Sequence, residues 1–363
     1  MGEKHQTAPN EQPPRLEITA SRQCTTWLAD MRASLAVTSY QTGKVFMFGL
    51  SADDKLSIAE RTVERCMGLI AHKDELYLAS AYQIWRFRNV LESGATHDGY
   101  DALYVPRQAY ITGDVDAHDM QIGPDGRLIF ANTLFSCLAT VSKDYSFESV
   151  WQPPFITRLA AEDRCHLNGV ALDETGAPKY VTITSRTDSA EAWRDNRMDG
   201  GQVLEVPSGE AIVSRMCMPH SPRWYNGRLW VCEAGTGQFG YCDLDKGTFE
   251  SIAFCPGFLR GCTFVGDYAV ITTSLPRGSK TFQGLPLDEA LTARNVQPKC
   301  ALNIIDLKSG DRVHWIEFDG VVTELFEAAA LPGVRRPHMI GFKSNEIRRT
   351  ISLPPSAPQA ASW

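Results

Sequence analysis

The feature that most constrains this chain is a recurring run of short apolar strands separated by turn residues, with helical periodicity nearly absent. Residues 118–151 show it best. HDMQIG leads into the turn Pro124-Asp125-Gly126, followed by RLIFANT, CLATVSKD and SFESVW. Residues 220–254 repeat the order with HSPRWY, the turn Asn226-Gly227, RLWVCEA, GYCDLD, the turn Lys246-Gly247 and TFESIAF. Asn-Gly and Asp-Gly between apolar runs favour hairpins because both residues tolerate the positive φ such turns need. With the second strand of each unit as a ruler, anchors fall at Leu35, Leu76, Leu128, Lys179, Leu229 and Tyr268, at intervals of 41, 52, 51, 50 and 39 residues. Four-stranded units repeating about every 40 to 50 residues are the signature of a β-propeller. The expectation is an all-β fold of six blades. The long irregular stretch 272–300 leaves room for a seventh.

The two ends suggest how the ring closes. The chain reaches Leu35 with no first strand for that unit, whereas VVTELFEAAALPG at 321–333 reads as a first strand with nothing after it. Pairing the two lets the C-terminal strand complete the N-terminal blade and removes raw sheet edges. The expected organisation is a disordered polar tail over 1–21, one propeller domain over 22–340 and a C-terminal tail over 341–363.

Composition narrows the function. Hydrophobic residues make up 43% and charged residues 22% of 363, which excludes a disordered chain, a coiled coil and a collagen-like fibre. Lys and Arg number 36 against 43 Asp and Glu, a net charge of −7, with no basic block to grip nucleic acid or an anionic membrane. No apolar run approaches the ~18 to 20 residues of a membrane span. Met1 to Pro14 lacks the apolar core of a signal peptide, so the expected location is the cytoplasm. Ten cysteines occur without a C-x-x-C pair, and several lie inside apolar runs, as Cys137, Cys232 and Cys262 do. They read as reduced core residues and not as a disulfide or zinc framework.

Three motifs bear on chemistry. Gly235-Thr-Gly-Gln-Phe-Gly240 spells G-x-G-x-x-G, but it lies between two strands with no helix after it. It is expected to be a glycine-rich hairpin and not a dinucleotide site. The second motif emerges when the blades are aligned, because the first strand of each blade lines the central channel. The starts of those strands carry Cys66, His118, His166, His220, Arg260 and Glu324. His118, His166 and His220 therefore fall in register on three consecutive blades. Three converging imidazoles are the ligand set of a catalytic zinc site with an open position, and iron or copper also accepts imidazole. The alternative is that these histidines cap channel strands through hydrogen bonds.

The third motif is the surround of the histidines. Glu324 or Asp119 could serve as the base or orienting carboxylate beside a metal-bound water, and Arg260 could clamp a substrate carboxylate or an oxyanion. Asn168, Ser221, Arg223 and Cys66 complete the expected substrate-contacting set.

The stretches NTLFSCLAT (132–140), WQPPF…EDRCHLNGVAL (151–172), MPHSPRWYNGRLWV (218–231) and PGFLRG (256–261) resemble an uncharacterised bacterial family of conserved hypothetical propeller proteins. That resemblance spans most of 30–335 and implies a propeller with a shared histidine-bearing site, without a known reaction. Asn168-Gly169-Val170-Ala171 is also similar to the N-G-hydrophobic-A motif of the gluconolactonase and senescence-marker lactonases, where the Asn is a metal ligand. His118 and His220 stand where those lactonases rely on oxygen ligands, which implies a softer metal than calcium. Peptidylglycine amidating lyase, a propeller with a three-His zinc site, is similar in ligand type. The expected function is a metal-dependent hydrolase or lyase acting on a small molecule at the channel mouth. It would use one divalent ion, zinc, iron or copper. An iron- or copper-dependent oxidoreductase and a non-catalytic propeller that binds a protein or peptide are the alternatives.

Overall fold

The computed structural model describes residues 15–276 and 282–353. Its strands form six antiparallel sheets arranged as a six-bladed propeller. From the channel outward, blade 1 holds Ala328–Pro332, Ala33–Ser39, Lys44–Leu50 and Leu56–Thr62. Blade 2 holds Leu69–His72, Glu75–Ala79, Gln83–Asn89 and Ala102–Ile111. Blade 3 holds Ala117–Ile122, Leu128–Asn132, Cys137–Thr140 and Glu148–Trp151. Blade 4 follows with Leu167–Leu172, Pro178–Ile183, Gly201–Glu205 and Ala211–Met216. Blade 5 has Pro219–Tyr225, Arg228–Glu233, Gln238–Asp243 and Thr248–Phe254, and blade 6 has Phe258–Val265, Tyr268–Ser274, Cys300–Asp306 and Arg312–Asp319.

All six anchors read from the sequence lie in second strands. The turn chemistry explains why. Asn226 and Gly227 both take positive φ between the first two strands of blade 5, and Gly126 does the same in blade 3. The stretch 272–300 forms no seventh blade; its described part carries the helix Pro286–Arg294. The glycine-rich motif turns between the second and third strands of blade 5, with Gly237 at φ 75°. A Cβ there would meet the Phe254 ring at 2.7 Å and the Leu287 side chain at 2.9 Å, so the site needs glycine for space as well as for conformation.

The ring closes where expected. Ala328–Pro332 pairs antiparallel with the strand Ala33–Ser39, setting Ala330 opposite Leu35 and Ala328 opposite Val37. The ends depart from the expected tails, however. Glu17–Ala20, assigned above to a disordered segment, is a fifth strand on the outer edge of blade 6, with Ile18 opposite Phe318. Leu16 and Ile18 pack against the blade 1–blade 6 core there, which supplies the apolar burial a tail would lack. Pro337–Met339 lies parallel to Ala102–Tyr104 on the outer edge of blade 2, and Glu346–Arg349 is a short helix. Both added strands cover edges that would otherwise offer free backbone donors and acceptors. Met1 to Pro14 falls outside the described residues.

Interblade packing comes from the alternate faces of the strands, buried as separate clusters between neighbouring blades. All ten cysteines are free and buried. Burial pushes the thiols of Cys24, Cys66, Cys137 and Cys165 up to about 12, which makes them packing groups and poor nucleophiles.

Because blade 1 owes its inner strand to Ala328–Pro332, removal of 321–363 should strip the channel wall and bare the Ala33–Ser39 edge. Size-exclusion chromatography and thermal melting should show aggregation or loss of a cooperative transition. A monomer with the full chain's melting temperature would refute this closure.

Candidate functional site

The start of each inner strand delivers one side chain to a single mouth of the channel. In ring order these are Phe326, Met67, His118, His166, His220 and Arg260, from blades 1 to 6. The three histidines converge. Ring centroids of His118 and His166 are 5.0 Å apart, those of His118 and His220 6.2 Å, and those of His166 and His220 6.5 Å. His118 and His166 line a chamber of about 210 Å³, with Tyr40, Asp116, Asp163, Trp193, Arg194 and Arg260 among its other walls. His220 stands just behind it.

The backbone around this chamber is strained. Arg65, Asp116 and Met218 each stand two residues before a mouth residue, and each takes positive φ. Asp163, His166 and Ser221 do so as well. A left-handed conformation at a non-glycine residue costs of order 1–3 kcal/mol and clusters at working sites. Local propensity would not choose these turns, so the surrounding sheets impose them.

Hydrogen bonds fix the tautomer of each imidazole. His118 Nδ1 is 3.0 Å from the Asp116 carbonyl oxygen, an obligate acceptor, so Nδ1 carries the proton. The Thr133 hydroxyl also accepts from that nitrogen at 2.9 Å, having donated its own proton to the Leu167 carbonyl at 2.6 Å. His166 Nδ1 donates to Asp163 at 2.9 and 3.1 Å. His220 Nε2 faces the Arg260 guanidinium and the Asn168 amide nitrogen, each at 3.4 Å, and so accepts. In His118 and His220, then, Nε2 keeps its lone pair. Burial pulls the His118 imidazole down to about 4, and burial together with the Arg260 charge holds His220 well below its ordinary value. Burial works to raise the Asp163 carboxyl, but its pairing with His166 and the hydrogen bonds from His166 and Trp193 outweigh it and hold it low.

Beneath the histidines the channel is plugged by charge. Arg223 donates to both oxygens of Asp119, at 2.7 and 2.9 Å, and to Glu327 Oε2 at 3.2 Å. Asp119 also accepts from the backbone N–H groups of Met120 and Val170 at 2.8 and 2.9 Å. Glu327 accepts from those of Cys262 and Ala328 at 3.1 and 3.0 Å. Burial, then the nearby Asp119 charge, raises the Glu327 carboxyl well above the usual carboxylate range. Arg223 borders a second cavity of about 180 Å³ on the far side, so the triad separates the channel into two chambers.

The expected site residues therefore divide. His118, His166 and Arg260 meet at the chamber, with His220 and Asn168 behind it. Asn168 points its amide at His220 while accepting from Thr182 at 2.7 Å. The Ser221 hydroxyl donates to the Arg260 carbonyl at 2.6 Å and so supports the mouth from below. Asp119 and Arg223 form the plug, and with both Asp119 oxygens engaged the residue is a structural partner and not a poised base. Glu324 is not brought to the mouth. It lies short of the inner strand, near Cys300, and the strand's own start presents Phe326 and Glu327. Cys66 is likewise displaced by one residue. Its thiol packs between blades 1 and 2 against the Lys44 carbonyl at 3.1 Å, while Met67 takes the chamber wall.

The residues missed by the sequence reading are Glu327, Asp116, Asp163, Tyr40, Trp193 and Arg194. Asp116 and Asp163 had a usable signal, an acidic residue two or three positions before a mouth histidine. Trp193 and Arg194 had none, because they belong to the excursion between the second and third strands of blade 4.

The family described as a domain of unknown function, DUF4915, matches residues 22–340. The chain belongs to that family. No curated protein sequence matches it. Among solved structures, a chain of a nidogen/laminin complex is similar at 13% identity and a TM-score of 0.49, covering 83% of this chain and 98% of that one. A protein of unknown function from Bacteroides caccae gives 14% identity and 0.47, covering 82% and 98%. Virginiamycin B lyase from Staphylococcus aureus gives 11% identity and 0.38, covering 84% and 99%. Likenesses this distant carry nothing about chemistry. No helix among the described residues of this DUF4915 member is long and apolar enough to cross a membrane.

The buried His118 imidazole has a pH consequence. Unfolded His118 titrates near ~6.5, whereas in the fold it resists protonation down to about 4. Between these values the unfolded chain binds the proton and the folded one does not, so stability falls as pH falls. Chelator-treated protein should lose about 2 kcal/mol from this residue between pH 7 and 5, and His118→Gln should flatten the slope. A denaturant midpoint unchanged across that range would show that the ring is not held neutral.

Proposed function

We propose that this protein is an enzyme acting on a small anionic molecule in the histidine chamber, with a divalent metal ion held by His118, His166 and His220. The observation that carries the reading is the meeting of three imidazoles from three consecutive blades, with ring centroids 5.0, 6.2 and 6.5 Å apart. Neutral imidazole is the commonest metal ligand, and a proton at Nδ1 held by a carbonyl or carboxylate is the usual orienting partner. Imidazoles sharing one zinc ion at ~2.0–2.1 Å stand about 5 Å apart between centroids. The His118–His166 pair, at 5.0 Å, matches this, and His220 is wider. Among the described residues no group of three His, Cys, Asp or Glu side chains is already set to ligate, so the donor chemistry supports the reading more than the distances do.

Bound there, a divalent ion would polarise a substrate oxygen or activate a water for hydrolysis or elimination. The chain's own groups supply the rest. Asp163 holds the His166 ring and its Nδ1 proton. Arg260 is packed against the faces of Phe258, Phe282 and Phe326, with its guanidinium carbon 4.6, 5.6 and 5.4 Å from the ring centroids. So seated, it presents donors to a substrate carboxylate or a developing oxyanion. Arg194 adds a second cation at the chamber wall. The small chamber suits the reacting group of a substrate, and Tyr40 leads from it to a groove of about 690 Å³ beside blades 1 and 2. With iron or copper in place of zinc, the same ligands would support oxidation of a small molecule.

A second reading is favoured by one contact. The Arg260 guanidinium donates to the His220 nitrogen that a metal would need. In that reading the site works without metal, with His166–Asp163 as the proton-transfer pair and Arg260 as the anion clamp.

Calorimetric titration of tag-free, chelator-treated protein with Zn²⁺ separates the two. One equivalent should bind. His118→Ala, His166→Ala and His220→Ala should each weaken binding at least ~100-fold while the propeller still melts cooperatively. His314, which packs beside Trp27 and accepts or donates to Ser21 in blade 6, is the control, and His314→Ala should bind as the parent does. Saturable anion binding with no zinc uptake would favour the metal-free reading.

A further inference from the structure

The excursion between Pro178–Ile183 and Gly201–Glu205 in blade 4 is far longer than a hairpin needs. It carries a short helix, Ala192–Asn196, that delivers Trp193 to the chamber wall. Trp193 is 2% exposed. Its indole stacks on His166, with centroids 4.2 Å apart and planes 28° from parallel. The indole N–H donates to Asp163 Oδ2 at 2.8 Å, the same oxygen that accepts from His166 Nδ1 at 2.9 Å. The Glu191 N–H donates to the Glu162 carbonyl at 2.9 Å and ties the excursion to the segment bearing Asp163.

We infer that Trp193 is a positioning residue for His166, acting through the ring face and through Asp163 to aim Nε2 into the chamber. The inference rests on the metal reading given above. Two constraints meet on one imidazole. The carboxylate fixes the tautomer and one in-plane direction, but a single hydrogen bond leaves the ring free to roll about it. Stacking on a buried indole removes that roll. The indole N–H in turn stops the carboxylate from rotating away. His166 itself stands just before its strand with a left-handed backbone, φ 51°.

Three variants test this with the full chain, using Zn²⁺ affinity by calorimetry and the visible ligand-field spectrum of the Co²⁺ form. Asp163→Asn should weaken Zn²⁺ binding by ~10–100-fold, the usual effect of removing a ligand's orienting partner. Trp193→Phe keeps an apolar ring in the core but removes the N–H. It should weaken binding by a smaller factor and shift the Co²⁺ spectrum. Trp193→Leu, which removes the stacking face too, should weaken binding more than Trp193→Phe does. Thermal melting separates these effects from lost stability, since a purely packing role would lower the melting temperature and leave the spectrum and the affinity of the folded protein unchanged. If Trp193→Phe and Trp193→Leu bind and absorb like the parent while His166→Ala fails to bind, the positioning role is wrong and the three-histidine reading stands. If His166→Ala also binds like the parent, both are wrong.

Discussion

A propeller's blades converge on an axis where six inner strands must meet without filling the space between them. In this protein the contact that spans that space is the buried Asp119–Arg223–Glu327 triad. It draws its charged groups from blades 3, 5 and 1, and it takes backbone bonds from blade 4 at Val170 and from blade 6 at Cys262. Blade 2 is tied separately to blade 3, through the Gly68 N–H donating to the Ala117 carbonyl at 3.2 Å. Removing one member of such a buried network strands a charge, at a cost of about 3–5 kcal/mol. Glycine at 261 is part of the same device. A Cβ there would sit 2.5 Å from Glu327 Oε1, so any larger residue would push the carboxylate off its partners.

The plug also shapes the chemistry above it. It gives the histidine chamber a rigid, polar floor that consumes its own charges, leaving the mouth to a different set of groups. Above the floor the electrostatics run the other way: burial keeps the His118 and His220 imidazoles neutral, and charged side chains stand at the walls. Left-handed residues concentrate at this mouth, where the sheets press the chain into turns that present His118, His166 and His220. Such strain persists only where the surrounding scaffold over-determines it.

Much of this was legible in the sequence because it was local. Hairpin glycines and alternating apolar residues marked second strands such as those of blades 3 and 5, and the histidines revealed themselves through one repeated position. The failures came where local signals were silent. For VVTELFEAAALPG the turn Asp319-Gly320 comes well before the strand, which begins only at Ala328, so nothing local marks its start. Pairing with Ala33–Val37 sets the register and puts Glu327, not Glu324, at the channel. Cys66 and Met67 differ by one residue in the extended lead-in to the strand Leu69–His72, and one residue changes which way the side chain faces. Asp119 and Arg223 are 104 positions apart, and no spacing rule foretells that they neutralise each other. Trp193 lies in an excursion that follows no repeat, so only the folded chain shows what it touches.

The central claim is that three imidazoles from three blades can hold one ion. X-ray absorption at the zinc edge, on protein loaded with one equivalent of Zn²⁺, tests it most directly. The account predicts a first shell of nitrogen and oxygen at ~2.0–2.1 Å with the multiple-scattering pattern of three imidazoles. Sulfur at ~2.3 Å, or a shell of oxygen alone, would place the ion elsewhere and contradict it.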